Sequence, residues 1–254
     1  MTRPTERFSS RVDNYARYRP SYPPPAMELL RERCGLIPGA VVADLGSGTG
    51  ILTELLLKSG AEVFAVEPND PMRAAAEVQL GHYPRFRSIK GSAESTTLAS
   101  GSVDLLVAGQ AFHWFDPQRA RLEALRVLRP GAWAALLWNE RPTEATPFLA
   151  DYQALLSRHA PEYTRITASR AEVGTMREFL GTQMEVRTFA NQQVLDFEGL
   201  QGRLMSSSYA PEPGSPDYEP MIALLREVFA RHERDGRLIM PYSTLVYFSR
   251  MRGT

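Results

Sequence analysis

Two acids flank a glycine turn, and the chemistry starts from their spacing. Asp44 stands two residues before Gly46 in the run Gly46-Ser47-Gly48-Thr49-Gly50, and Glu67 closes the next apolar run. Glycines take positive φ at no steric cost and let a ligand approach bare backbone. An ionised carboxylate only accepts hydrogen bonds. Glu67 can therefore take both vicinal hydroxyls of a ribose, while Asp44 can face a cationic group. A dinucleotide turn reads G-x-G-x-x-G; here the spacing is G-x-G-x-G and Ile51 occupies the third position of that pattern. One acid for a cation, one for a ribose and open backbone between them suit a nucleoside carrying an amino acid better than one carrying a pyrophosphate.

These residues need a strand–turn–helix scaffold. The apolar run 40–45 reads as a strand covered on both faces. A helix over 51–59 follows, with Ile51, Leu52, Leu55 and Leu56 on one face and Gly60 as its stop. Further strands are expected at 61–67, 86–90, 103–108, 132–138, 184–195 and 243–251. Helices are expected at 26–34, 70–80, 198–208 and 218–233, with Asp70 and Asp116 as N-caps before Pro71 and Pro117. Strands alternating with helices through short loops predict a parallel, doubly wound α/β sheet. Ligands bind such sheets at the carboxyl ends of the strands. The loops after the second and fourth strands, with Pro68 and Met72 in one and Gln110 and His113 in the other, are thus candidate walls.

The run Asp44-Leu45-Gly46-Ser47-Gly48-Thr49-Gly50, with Val66-Glu67-Pro68, resembles motifs I and II of the class I S-adenosylmethionine-dependent methyltransferases. Gln110-Ala111-Phe112-His113-Trp114-Phe115, followed by Arg126-Val127-Leu128-Arg129-Pro130-Gly131, is similar to the small-molecule branch labelled methyltransferase type 11. The resemblance implies a Rossmann-like sheet of seven strands, mostly parallel, with an antiparallel last strand between the fifth and sixth and a helical insert over the carboxyl edge. It implies S-adenosylmethionine as cofactor and S-adenosylhomocysteine as product. Gly46, Ser47, Gly48 and Gly50 would lie under the methionine part and the ribose, Asp44 near the amino group, and Glu67 on the ribose hydroxyls. Pro68, Met72, Ala93 and Glu94 would border the adenine, Gln110 the cofactor from the fourth loop. An aromatic arm over residues 1–25 would fold over the site as a lid and bring Tyr15, Tyr18 and Arg19 to it. His113 is a candidate general base, and Trp114 a hydrophobic wall. Asn139, Glu140 and Arg141 end the fifth strand near the acceptor. Tyr209 and Tyr242 are candidates for the pocket mouth.

Composition bounds the rest. The chain has 254 residues, with 29 Lys plus Arg against 29 Asp plus Glu, so no electrostatic footprint for nucleic acid or an anionic membrane emerges. Arg119, Arg121, Arg126 and Arg129 read as a solvated helix face. Cys34 is the one cysteine, which excludes an intrachain disulfide and fits a reducing cytoplasm. His82, His159 and His232 lack metal-ligand spacing and read as surface or loop positions. The expected division is an arm (1–25), a cofactor-binding core (26–141), a helical insert (142–182) and the remainder of the same domain (183–254). The acceptor is expected to be a small molecule with an O-, N- or C-nucleophile, a carboxylate among them, and the protein a monomer or homodimer without nucleic-acid or membrane partners. The competing readings are an NAD-dependent oxidoreductase, which would want the missing third glycine, and a non-catalytic protein that binds the nucleoside.

Overall fold

The computed structural model describes residues 12–143, 145–160, 162–163 and 173–251. Expectations for 1–11, for most of 161–172 and for 252–254 lie outside the described residues. Seven strands form one sheet: β1 (Val41–Leu45), β2 (Glu62–Val66), β3 (Phe86–Ile89), β4 (Val103–Gly109), β5 (Leu128–Glu140), β6 (Glu185–Leu195) and β7 (Leu238–Arg250). Their order is β3-β2-β1-β4-β5-β7-β6. The first five pair in parallel with one another, and β7 runs antiparallel to both β5 and β6. The doubly wound, Rossmann-like sheet read from the sequence is the observed one.

Helices cover both faces. Val42, Val63, Leu105 and Val107 pack with α2 (Pro24–Arg33) and α3 (Ile51–Lys58) on one side. Ala43, Leu45, Leu106 and Ala108 pack on the other with α5 (Pro117–Val127). Successive residues of a strand point to opposite faces, so a strand buried on both sides has no polar alternation. That is why β1 and β4 read as apolar runs interrupted only by Asp44 and Asp104.

A third cluster caps the carboxyl end. It joins α6 (Pro147–His159) to α8 (Phe197–Met205), α9 (Tyr218–His232) and the start of β7 through Tyr152, Leu155, Leu204, Leu225 and Met240. The expected insert therefore divides. Its first part, α6, joins this cap, whereas α7 (Val173–Leu180) places Met176, Phe179 and Leu180 in the sheet core. An apolar stripe shows that a helix is buried but not against which surface.

Boundaries differ for local reasons. α4 (Asp70–Leu80) is capped by Asn69, whose side chain accepts from Met72 N, so Asp70 lies inside the first turn and is not the cap. Asp116 does cap α5, accepting from the N–H groups of Gln118 and Arg119. β5 begins earlier than expected: its pairing with β4 jumps from Leu128 to Trp133, leaving a bulge around Arg129-Pro130-Gly131. β7 also starts earlier. Pro241 lies where β7 extends past the stretch paired with β5, an edge-like position that tolerates proline. The arm holds a helix that sequence periodicity does not show, α1 (Val12–Tyr18). His159 and His232 are not surface residues. Both lie in last helical turns with side chains 11% and 16% exposed, beside Asp217 and Asp151. No described helix is long and apolar enough to cross a membrane.

Candidate active site

The turn after β1 is built as the glycines require. Gly46, Gly48 and Gly50 have φ of +65°, +58° and +90°. Gly46 N and Ser47 N donate to Val66 O at the end of β2, and Gly50 N returns to Ser47 O. Glu67 closes the turn from the next strand. Its Oε2 accepts from Gly48 N and its Oε1 from Asn69 N, each at 2.8 Å. Each oxygen keeps a lone pair for a further donor. Burial raises the Glu67 pKa, and the two backbone donors oppose that rise.

Asp44 lies behind the turn and is 1% exposed. Thr53 Oγ1 donates to its Oδ2 at 2.6 Å. Its Oδ1 has no partner among the described residues, nor do Ser47 Oγ and Thr49 Oγ1 nearby. Burial pushes the Asp44 carboxyl up to about 7; the Thr53 hydrogen bond opposes this, and the charge of Glu67 adds to it. A buried acid with an unmet oxygen costs stability unless a donor arrives. Asp44, Gly46, Ser47, Gly48, Tyr15, Arg19 and Gln110 line a small recess that shares several walls with the main cavity.

That cavity has a volume of about 370 Å³, within the range of small-molecule pockets. Of the expected residues, Gly46, Gly48, Glu67, Pro68, Met72, Ala93, Glu94, Gln110 and His113 line it, as do Trp114, Asn139, Arg141, Tyr209 and Tyr242. Glu94 is partly committed, because its Oε1 accepts from Asp116 N at 2.8 Å. Gln110 has φ +58°, uncommon for a residue with a side chain, and its Nε2 donates to Asn139 O at 3.0 Å. This ties the ends of β4 and β5 together beside the cavity. His113 lies on a 3-10 turn (Phe112–Trp114), its ring 4.5 Å from Trp114 and 5.6 Å from Trp138.

Three expected residues stand elsewhere. Glu140, at the end of β5, lines neither the cavity nor the recess. Gly50 faces Leu80 and Ala76 of α4 and shapes the turn without lining the cavity. Tyr18 points away: its hydroxyl donates to Glu198 at 2.8 Å, and its ring occupies the space that a side chain at Gly202 would fill. Three residues apart on the same short arm, Tyr15 does reach the cavity, with Arg19 stacked 4.8 Å from its ring. The arm is held by polar ties: Arg19 Nη2 to Ser206 O at 2.8 Å, Gln193 Nε2 to Tyr18 O at 3.0 Å, and Asn191 Nδ2 to Ser21 O at 2.8 Å.

Sequence reasoning missed Arg203, Tyr163 and Ser208, which all line the cavity. Arg203 sits in α8, 8% exposed, with Nε donating to Tyr242 OH at 3.1 Å and Nη1 to Ser207 Oγ at 3.1 Å. An arginine in an amphipathic segment reads as solvated, and only the packing of α8 under the cap turns it inward.

Known proteins share these features. A family model described as a methyltransferase domain matches residues 43–136. An uncharacterised methyltransferase of Schizosaccharomyces pombe is 30% identical over 201 residues, 79% of this chain and 77% of that protein. An uncharacterised methyltransferase of Mycobacterium tuberculosis strain H37Rv is 43% identical over 136 residues, 53% of this chain. The aligned part spans about half the length of that mycobacterial relative, 52%. Among solved structures, a protein of Anaeromyxobacter dehalogenans provisionally described as a type II methyltransferase shares the fold at a TM-score of 0.64 and 23% identity, covering 93% of this chain and 100% of that one.

Proposed function

Because the chain belongs to the class I S-adenosylmethionine-dependent methyltransferases, we propose that it transfers a methyl group from S-adenosylmethionine to a small-molecule acceptor bound in the same cavity. Family membership removes the reading as an NAD-dependent oxidoreductase. The observation that carries the proposal is Asp44 Oδ1, a buried carboxylate oxygen without a partner among the described residues, beside a glycine turn whose other flank is Glu67. An ammonium group satisfies that oxygen, and ribose hydroxyls satisfy the open lone pairs of Glu67.

The cofactor, when bound, supplies a methyl group on a sulfonium, whose departure leaves a neutral thioether. The protein's own residues do the rest. Asp44 takes the amino group, and Arg19, which lines both the recess and the main cavity, is placed to take the carboxylate of the same amino acid. Glu67 holds the ribose. Met72 and Pro68 with Ala93 and Glu94 border the base. Gln110 and Asn139 fix the loop ends, so that acceptor and donor meet with little freedom, which is where most of the rate comes from in such a displacement. The arm and the cap keep water out. His113 is placed to take a proton from an acceptor that carries one on its attacking atom.

Isothermal titration of the full chain with S-adenosylmethionine, S-adenosylhomocysteine and NAD tests this reading. Binding of the first two and not of NAD is expected. Binding of NAD alone, or of none of the three, would overturn it.

A further inference from the structure

The cavity is charged unequally, and the excess lies away from the glycine turn. Asp44, Glu67 and Glu94 belong to the end made by β1, β2 and the loop after β3. Arg19, Arg141 and Arg203 line the remainder, together with Tyr163, Tyr209 and Tyr242. None of the three guanidinium groups has a carboxylate partner among the described residues. Among the described residues Arg203 donates only to hydroxyls, those of Tyr242, Ser206 and Ser207. Tyr242 in turn donates to Gln193 Oε1 at 2.8 Å, so its oxygen is a neutral acceptor. Arg141 reaches Tyr163 OH at 3.1 Å and Gln153 Oε1 at 3.4 Å, with its guanidinium 4.6 Å from the Tyr152 ring. Arg19 donates to a backbone carbonyl, and its Nε has no partner among the described residues.

Charge balance decides what this surplus is for. The cofactor brings one carboxylate, which one arginine neutralises, and Arg19 beside the recess is the one placed for it. The ammonium goes to Asp44. Arg141 and Arg203 remain, facing a cavity that also receives a sulfonium. A buried cation with only neutral partners, as Arg203 is, is costly. Hydroxyls and amides can be bridged equally well by an uncharged side chain, so packing alone does not call for two guanidinium groups here. Planar guanidinium forks match carboxylates.

Resting on the methyltransferase reading above, we propose that the acceptor is a small carboxylic acid whose carboxylate is held by Arg141 and Arg203. Tyr209 marks the place where the positive charge converges. Burial raises its phenol, yet the charges of Arg141 and Arg203, a hydrogen bond with Ser207 and the charge of Arg19 bring it below its ordinary value. Two rings of the cavity wall meet here, Tyr163 lying edge-on to Tyr209 at 5.0 Å. An acid of modest size with an apolar body fits between that anchor and the wall of Trp114, Trp138 and Phe115. The acid group that the arginines hold serves as the anchor, and a second nucleophilic group on the same molecule faces the methyl donor.

The test is calorimetry on the full chain, with and without saturating S-adenosylhomocysteine. The probes are succinate, citrate, benzoate and indole-3-acetate, with benzamide and phenyl phosphate as controls. At least one carboxylate should bind and benzamide should not. Arg141→Gln should weaken that binding roughly tenfold to a hundredfold, as loss of charged hydrogen bonds does, while S-adenosylhomocysteine affinity stays unchanged. Arg203→Gln should act alike and Arg203→Lys less; if Arg203→Gln fails to fold, Arg141→Gln alone decides. Equal binding of benzamide and benzoate, an unaltered Arg141→Gln, or binding of phenyl phosphate alone would overturn the proposal. Binding of S-adenosylhomocysteine without any acid would sink the acid site and leave the methyltransferase reading. Arginine-dependent binding of an acid without S-adenosylhomocysteine would do the reverse.

Discussion

Thr53 Oγ1 lies 2.6 Å from Asp44 Oδ2, and this one bond divides the carboxylate into a satisfied oxygen and an open one. Thr53 is fully buried on α3, so the donor is fixed by packing. The open oxygen is what the ligand-free protein leaves unpaired.

A pH dependence of cofactor binding follows. Asp44 titrates near 7 in the folded, ligand-free chain. A bound ammonium favours its charged form, so affinity for S-adenosylhomocysteine should be full above about pH 7.5 and fall by up to about tenfold per pH unit below 7. Calorimetry at pH 8, 7 and 6 checks this. Constant affinity over that range would show that Asp44 does not meet the amino group.

The same group costs stability where it is charged. Its folded value lies above its ordinary 3.8. Between about pH 4 and 7 the native chain holds a proton that the unfolded chain has lost, so ligand-free stability should decline as pH rises through that window. Asp44→Asn should remove most of that decline and melt higher than the wild type at pH 8, while binding S-adenosylhomocysteine at least tenfold more weakly. Thermal melts of both proteins at pH 5 and 8 supply the comparison.

Glu67 braces the turn and faces the cavity. Glu67→Gln keeps the shape but turns one acceptor into a donor that confronts a backbone N–H. It should weaken cofactor binding by about 1.5–3 kcal/mol, the range for hydrogen bonds to a charged group. Glu67→Ala should lose as much affinity and also lower the melting temperature, because Gly48 N and Asn69 N lose their acceptor. An unchanged dissociation constant for both would remove the ribose assignment.

Gly202 is a packing site for the arm. Any Cβ there overlaps the Tyr18 ring. Gly202→Ala should displace α1 from α8, raise exposure of the arm to limited proteolysis and lower cofactor affinity several-fold, with the sheet intact by circular dichroism. Truncation through Tyr22 is a poor test of the same idea, since Tyr22 is 7% exposed in the sheet core.

Asn69→Ala removes the cap of α4 and should cost about 1 kcal/mol, or about 2–4 °C in melting temperature for a chain of this size. Asp70→Ala, inside the first turn, should cost less. Equal effects would put the cap back on Asp70.

The sheet and the end of the cavity built by the glycine turn and Glu67 were legible because they depend on local pattern. The largely apolar runs of β1 and β4 and the glycine turn are one-dimensional signals. Asp44 and Glu67 lie within two residues of strand ends, so their placement follows once the strands are known. The end of the cavity lined by Arg203 and Tyr163 was not legible in the same way. Arg203 and Tyr163 reach the cavity only because α6, α8 and α9 pack together over the strand ends, a choice made by tertiary contact between segments far apart in the chain. Tyr18 was misplaced for a related reason. On a short helix, Tyr15 and Tyr18 differ by less than a full turn, and which of them faces inward depends on Gly202, about 180 residues away.

The position of β7 sets a schedule for assembly. β5 and β6 share no ladder; β6, and β5 on its side away from β4, pair with residues 238–250. On a growing chain the parallel half can dock strand by strand, but β5 keeps a long apolar edge, Ala134 to Trp138, with nothing to pair it for a further hundred residues of synthesis. That edge is the natural point for a chaperone to guard or for two nascent chains to associate wrongly.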